Sequence, residues 1–83
     1  MMKVYICKVW DGNLGDTVII GAFSSLAKAF EAGGLYIAKE SGETAQLLDW
    51  DETAPIYVHW YQDRRGVSFT RRVTETELDE RLA

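Results

Sequence analysis

Three side chains that can transfer protons or bind ligands occupy alternating positions in the second half of the chain: Tyr57, His59 and Tyr61. Alternate residues of a strand point to the same face of a sheet, so we expect these three to lie together. His59 can act as a general base near neutral pH, and Arg72 on a neighbouring strand can hold an anion. The sequence therefore predicts either a small-ligand or enzymatic site here, or an aromatic platform for a protein partner.

The two strands on either side of segment 63–66 are expected to form a hairpin. A four-residue turn at this segment pairs Gln62 with Val67 and Trp60 with Phe69, and it places Trp60 and Phe69 on the core side. The opposite face then contains the predicted binding residues and their neighbours: Tyr57, His59, Tyr61, Ser68, Thr70 and Arg72. An alternative is that these aromatic residues only fill a solvated sheet face, because aromatic side chains have high strand propensity.

A second candidate binding surface is the acidic segment that contains Asp49, Trp50, Asp51 and Glu52. Its carboxylates can imitate the charge of phosphate groups toward a basic partner protein. Closely spaced carboxylates also hold Mg²⁺ in some sites, but no His, Lys or phosphate-binding loop accompanies them in this segment. We therefore expect an interaction edge or a solvated strand end rather than a metal site.

Other chemistry is disfavoured by residue types and spacing. Cys7 lies in an apolar run, which is typical of an inert buried thiol. One Cys and one His cannot supply the four ligands of a zinc site. The spacing of Asp11, Asn13 and Asp16 does not fit an EF-hand loop, and the chain contains no dinucleotide-binding, Walker A or nucleophile-elbow motif. We therefore expect a protein that is not an enzyme and that uses no cofactor or metal.

Length and composition predict one domain over residues 1–83. The chain is 47% apolar with three Trp, four Tyr and three Phe, which suffices for one packed core. A single Cys excludes an intrachain disulfide and favours a reducing compartment, so we expect a cytoplasmic location. No apolar run is long enough for a membrane span. The net charge of −4, without a basic recognition helix, argues against direct nucleic-acid binding.

The pattern of apolar and turn residues predicts an α+β domain in the order ββαβββα. The strands are expected at 3–10, 17–23, 44–50, 56–62 and 67–73 of an antiparallel sheet, with the nearly continuous apolar first pair in its middle. One main helix starts at Ser24 or Ser25 and packs on the sheet. It either breaks at Gly33-Gly34 or continues to about Glu40. A capping box at 74–77 predicts a short final helix over 75–82.

The first third of the chain resembles a group of small uncharacterised bacterial and phage proteins. The resemblance is carried by Lys3-Val4-Tyr5 in the first strand, by Gly21-Ala22-Phe23-Ser24-Ser25 at the end of the second, and by Lys28-Ala29 in the helix. It covers about the first 30 residues and includes no catalytic position. The resemblance implies a mobile-element or accessory protein that acts by binding.

Taken together, these features favour a non-enzymatic protein-interaction module. Its expected partner is a host protein or a second copy of itself, bound through a sheet face or the acidic edge. A phage-encoded inhibitor or regulator of a host protein complex would fit this description. The alternatives are the ligand or enzymatic site around His59 and a self-associating structural protein, including a homodimer.

Overall fold

The computed structural model describes residues 2–78, which form one five-stranded antiparallel sheet and one helix. The elements are β1 (Met2–Asp11), β2 (Asp16–Phe23), α1 (Leu26–Glu40), β3 (Gln46–Thr53), β4 (Ile56–Gln62) and β5 (Ser68–Leu78). The predicted α+β class, with five antiparallel strands and one main helix in a small domain, is confirmed. The observed order of elements is ββαβββ.

The segment that was expected to begin a final helix instead continues the last strand. Residues 75–78 belong to β5, where Glu75 pairs with Tyr5 and Leu78 pairs with Met2. The β-branched residues Thr74 and Thr76 suit a strand, and β1 supplies hydrogen-bonding partners that a short isolated helix would lack. The rest of the expected helix, 79–82, lies outside the described residues.

The strand order across the sheet is β2-β1-β5-β4-β3. The expectation that the first two strands form the middle of the sheet is therefore wrong for β2, which is an edge strand. The central strand is β5, which pairs with β1 on one side and with β4 on the other. The many Thr, Arg and Glu residues of β5 do not form the apolar run that is typical of a central strand. They are tolerated in the centre because the helix covers only one of the two faces of the sheet.

Helix α1 packs against β1, β2 and β5 on one side of the sheet, which we call the helix-side face. The buried core residues from the sheet are Cys7, Val9, Phe69 and Val73, and those from the helix are Ala29 and Ile37. The other side, which we call the open face, is covered by no element among residues 2–78. The sheet therefore presents a whole face to its surroundings.

The hairpin between β4 and β5 has a five-residue turn, built around Asp63. Gln62 pairs with Ser68, which leaves residues 63–67 in the turn. The Asp63 carboxylate is fully buried and accepts hydrogen bonds from the backbone N–H groups of Arg65 at 2.8 Å and Val67 at 2.9 Å. The Arg65 guanidinium lies 2.7 Å from the same carboxylate. Because Val67 is held within the turn, it is not available to pair with Gln62.

The expected register of this hairpin is therefore wrong by one residue. Tyr61, not Trp60, pairs with Phe69, and Tyr57 pairs with Val73. A shift of one residue moves every side chain of a strand to the other face. Accordingly β4 turns its odd-numbered residues, 57, 59 and 61, toward the helix, and its even-numbered residues, 58 and 60, toward the open face.

Helix α1 continues through Gly33-Gly34 without a break. Ser25 caps its first turn, where the hydroxyl accepts a hydrogen bond from the Lys28 N–H at 3.2 Å. Gly33 is buried against the sheet. A Cβ at this position would lie 2.8 Å from both Cys7 Sγ and Arg71 Cδ. The glycine thus allows the close approach of helix and sheet, which explains why a poor helix former stands in mid-helix.

This contact predicts opposite effects for the two adjacent glycines. Gly34→Ala should raise the free energy of unfolding by up to about 1 kcal/mol, because it improves helix propensity and the added methyl group meets one atom, Arg71 Nη1 at 3.2 Å, which has to shift only slightly. Gly33→Ala should lower it by about 1–3 kcal/mol, because the added methyl overpacks the core. Urea denaturation of both variants measures the difference. Equal stabilisation by both would contradict the packing described.

The Asp63 turn predicts a pH-dependent contribution to stability. Burial alone would raise the pKa of Asp63, but hydrogen bonds from Arg65 and Val67 outweigh it and hold the pKa below its usual value. The contribution of the ionised carboxylate is therefore present above about pH 4, the ordinary range of Asp, and is lost as the pH falls through the lowered pKa of the folded state.

Asp63→Asn should consequently lower the urea midpoint most at pH 7, and the difference from wild type should shrink as the pH approaches 2. The control is Glu31→Gln, which replaces an exposed carboxylate on the helix. Its urea midpoint should differ little from that of wild type at either pH. A difference between Asp63→Asn and wild type that does not change with pH would show that the charge of Asp63 contributes nothing to the turn.

Candidate functional site

The open face presents two rows of side chains that run across the strands. The charged row consists of Ile19, Lys8, Arg72, Val58 and Asp51, and the tryptophan row consists of Thr17, Trp10, Thr70, Trp60 and Asp49. Within each row, neighbouring residues are cross-strand partners, whose side chains interact directly. The rows place basic residues near the middle of the sheet and acidic residues at the β3 edge.

The two tryptophans of the open face are more exposed than is usual for such large apolar side chains. Trp10 is 42% and Trp60 is 39% exposed. They lie on either side of the central strand, so that their Cα atoms are about 10 Å apart. Between them lies a shallow depression of about 530 Å³, lined by Lys8, Trp10, Thr17, Val58, Trp60, Thr70 and Arg72. Among residues 2–78, no carboxylate lines this depression.

Two cations lie side by side at this depression. Lys8 on β1 and Arg72 on β5 are direct cross-strand partners. Neither forms an ion pair with another side chain among residues 2–78. Like charges directly opposite each other destabilise a strand pair. An anionic group placed above Lys8 and Arg72 would relieve this repulsion, so the site favours a ligand that carries negative charge.

The predicted binding residues are divided between the two faces of the sheet. Four of them, Thr70, Arg72, Asp49 and Asp51, lie on the open face. The other five, Tyr57, His59, Tyr61, Trp50 and Glu52, lie on the helix-side face. The expectation that Arg72 shares a face with His59 and the two tyrosines is therefore wrong, because the five-residue turn shifts β5 by one position.

The residues that sequence reasoning missed are Lys8, Trp10, Val58 and Trp60. Val58 and Trp60 had been assigned to the core as a consequence of the four-residue turn. A signal that favours the observed turn was present in Asp63, because Asp side chains commonly accept hydrogen bonds from backbone groups two residues further along the chain. The β1 residues could not be assigned to a face, since both faces of that strand are mostly apolar.

His59 occupies a packed position beneath the helix. It is only 4% exposed, and its Nε2 lies 2.7 Å from Glu52 Oε1. The Phe30 ring stands edge-on to it with 4.9 Å between ring centroids, and Phe30 also packs against Tyr57. A general base has to come within hydrogen-bonding distance of a substrate proton. The burial of His59 favours a packing role for this residue.

Arg71 holds the helix to the sheet from the same side. Its guanidinium lies 4.9 Å from the centroid of the Phe30 ring and 5.4 Å from that of the Tyr61 ring. One of its nitrogens donates a hydrogen bond to the Phe30 carbonyl at 2.9 Å. Its side chain passes beneath Gly33. Arg71 and Arg72, adjacent in sequence, thus serve opposite faces, and only Arg72 is available to a partner.

Asp11 organises the loop between β1 and β2 through hydrogen bonds of its carboxylate. It is fully buried, accepts a hydrogen bond from the Tyr36 hydroxyl at 2.6 Å, and accepts another from the Asn13 N–H at 2.8 Å. The bond to Asp11 stabilises the neutral phenol and raises the pKa of Tyr36 to about 12. In the part of the chain that the structure describes, no group of three His, Cys, Asp or Glu residues is placed to hold a metal ion.

No family model, curated protein or solved structure that was compared with the chain matches it. None of the helical segments within residues 2–78 has the length and apolar content needed to cross a membrane. What the chain does has to be inferred from the surfaces that its fold presents.

The division of β4 between the two faces can be tested by thiol labelling. Trp60→Cys should react with a maleimide at the rate of an exposed thiol. His59→Cys should react more than about a hundredfold more slowly, because a buried thiol reacts only after local opening. Wild-type protein provides the background, since Cys7 is fully buried and burial raises the pKa of its thiol. Faster labelling at position 59 than at position 60 would contradict the observed register and support the one predicted from a four-residue turn.

Proposed function

We propose that this protein is a non-enzymatic protein-interaction module that binds through the open face of its sheet. The proposed partner is a protein surface that presents carboxylates among apolar side chains. The observation that carries the proposal is the uncovered cluster of Trp10, Trp60, Lys8 and Arg72 at the middle of the face.

The residue types at this cluster are those that contribute most to protein–protein binding. Trp and Arg are enriched among residues that dominate binding energy, and such residues gather near the centre of an interface. Trp10 on β1 and Trp60 on β4 flank the central strand, and Arg72 lies on that strand as the cross-strand partner of Lys8. A partner that covers the depression would bury both indole rings and remove water from the two cations.

The chemistry of the partner follows from the charge of the lining. Lys8 and Arg72 supply two positive charges to the depression, and none of its lining residues in the described part of the chain is acidic. A carboxylate of the partner would bind both cations, and Thr70 supplies a hydroxyl in the adjacent row. Apolar side chains beside that carboxylate would contact Val58 and the tryptophans. The proposed partner surface therefore combines acidic and large apolar residues.

A protein partner fits this face better than a nucleic acid. Aromatic residues and cations on a sheet also suit bases and phosphates. However, Asp49 and Asp51 end both rows at the β3 edge, and the chain has a net charge of −4. A chain of phosphates that crossed the sheet would meet these carboxylates. A protein surface can place a basic group there and an acidic group over Lys8.

A binding role also agrees with the residues at the depression. The lining that residues 2–78 provide contains no His, Cys or carboxylate that could act as a nucleophile or general base. A module of this kind acts by occupying a surface of another protein. The proposal extends to a phage-type inhibitor or regulator of a protein complex, which acts in this way.

The proposal predicts the type of peptide that the protein selects from a displayed random library. Enriched peptides should combine Asp or Glu with large apolar residues. Trp60→Ser should weaken binding of a synthetic enriched peptide about tenfold or more, since a central Trp of an interface is lost. Higher ionic strength should weaken binding of the same peptide to wild type, because it screens the contacts of Lys8 and Arg72. Fluorescence polarisation measures each affinity.

Leu35→Ser is the matched control, because Leu35 is 64% exposed and lies on helix α1, away from the open face. This variant should bind the selected peptide as tightly as wild type. If the protein is monomeric under the selection conditions, a library without enriched peptides would count against the open face as the binding surface. An enriched peptide that binds Trp60→Ser as well as wild type would count against it in any case.

A further inference from the structure

We infer that the partner of the open face is a second copy of this chain, packed face to face about a twofold axis. This inference rests on the proposed function, because it names the occupant of the same surface. It is carried by the distribution of charge along the two rows, which is complementary to itself.

The charged row has opposite charges on its two sides. Lys8 on β1 and Arg72 on β5 lie on one side of Val58, and Asp51 on β3 lies on the other. The tryptophan row ends in a second carboxylate, Asp49, next to Trp60. A face with cations on one half and carboxylates on the other can bind a rotated copy of itself, since a twofold interface contacts the same patch on both copies.

One position of the axis satisfies this requirement. A twofold axis parallel to the strands, between β5 and β4, places β1 of one copy over β3 of the other and β5 over β4. Lys8 then meets Asp51 of the second copy, and Arg72 meets Val58. In the other row, Trp60 meets Thr70, and Asp49 lies beside Trp10. Each contact occurs twice, so the Lys8 of each copy faces the Asp51 of the other, and the interface contains two such ion pairs.

The face is also large enough for a stable dimer. In this packing four strands of each copy overlap, because β2 lies beyond β3 of the second copy. These four strands are 7 to 11 residues long, and their alternate residues supply about eighteen side chains. This approaches the number of residues that one partner contributes to a standard interface, about 20–30. Large apolar side chains of these strands are exposed on the face besides the tryptophans, including Leu78 at 48% and Ile56 at 37%. Two sheets stacked in this way form a sandwich with nearly aligned strands.

Charge exchange tests the inference by sedimentation equilibrium. Wild type should be a dimer. Lys8→Glu and Asp51→Lys should each weaken dimerisation by roughly tenfold or more, because each places two like charges opposite each other. An equimolar mixture of the two variants should form a heterodimer with near wild-type affinity, since one contact is native and the other has both charges exchanged. Leu35→Ser should leave the dimer unchanged.

The outcomes separate the dimer from the open-face proposal itself. A monomeric wild type at about 0.1 mM, a concentration at which weak dimers form, overturns the second copy as partner. If a selected peptide still binds that monomer through Trp60, the proposed function stands, and if no peptide does, both fail. A dimer that persists in Trp60→Ser and in both charge variants overturns the inference, because its contact lies elsewhere. Binding of a single-stranded oligonucleotide that is lost in Trp60→Ser also overturns it.

Discussion

The buried carboxylate of Asp63 is the constraint on which the surface of this protein depends. By accepting hydrogen bonds from the backbone of Arg65 and Val67, it holds a five-residue turn and fixes the register between β4 and β5. With a turn one residue shorter, the side chains of one strand would exchange faces relative to the other. The five-residue turn thus places Trp60 and Arg72 on the same exposed face, although neither residue is part of the turn.

The architecture was largely predictable from sequence, because it depends on local patterns. Apolar runs, turn residues and the Ser25 cap identify the strands and the start of the helix. The error at the end of the chain has a clear physical reason. Residues 74–77 carry a capping box, a local signal for a helix, but β1 offers a strand pairing that extends from Met2 to Asp11. Long-range hydrogen bonds outweighed the local preference, and sequence periodicity does not reveal which distant strand is available.

The candidate site was much less predictable, since β4 is apolar in both of its phases. Ile56, Val58 and Trp60 would make a reasonable core, and Tyr57, His59 and Tyr61 a reasonable exposed face. Packing beneath the helix reverses this assignment. Gly33 leaves room for the stem of Arg71, whose guanidinium lies near the rings of Phe30 and Tyr61. His59 is thereby buried and the two tyrosines are half-buried. They are held there mainly by ring contacts, since the buried His59 Nδ1 has no hydrogen-bond partner among the described residues. The more apolar set lies on the open face.

The open face is left because helix α1 packs on the other side of the sheet. One helix of 15 residues contacts β1, β2 and β5 on one side, and no other described element remains to cover the opposite side. A short chain buries a smaller fraction of its surface than a long one. Leaving Val58, Trp10 and Trp60 uncovered forgoes hydrophobic stabilisation that burial would provide. Association through this face recovers that stabilisation, and in the twofold packing it also places the Asp51 carboxylate over Lys8, which is repelled by Arg72 in the isolated sheet. Exposed apolar side chains and adjacent like charges both destabilise the isolated sheet. A partner that covers them therefore stabilises the fold as it binds.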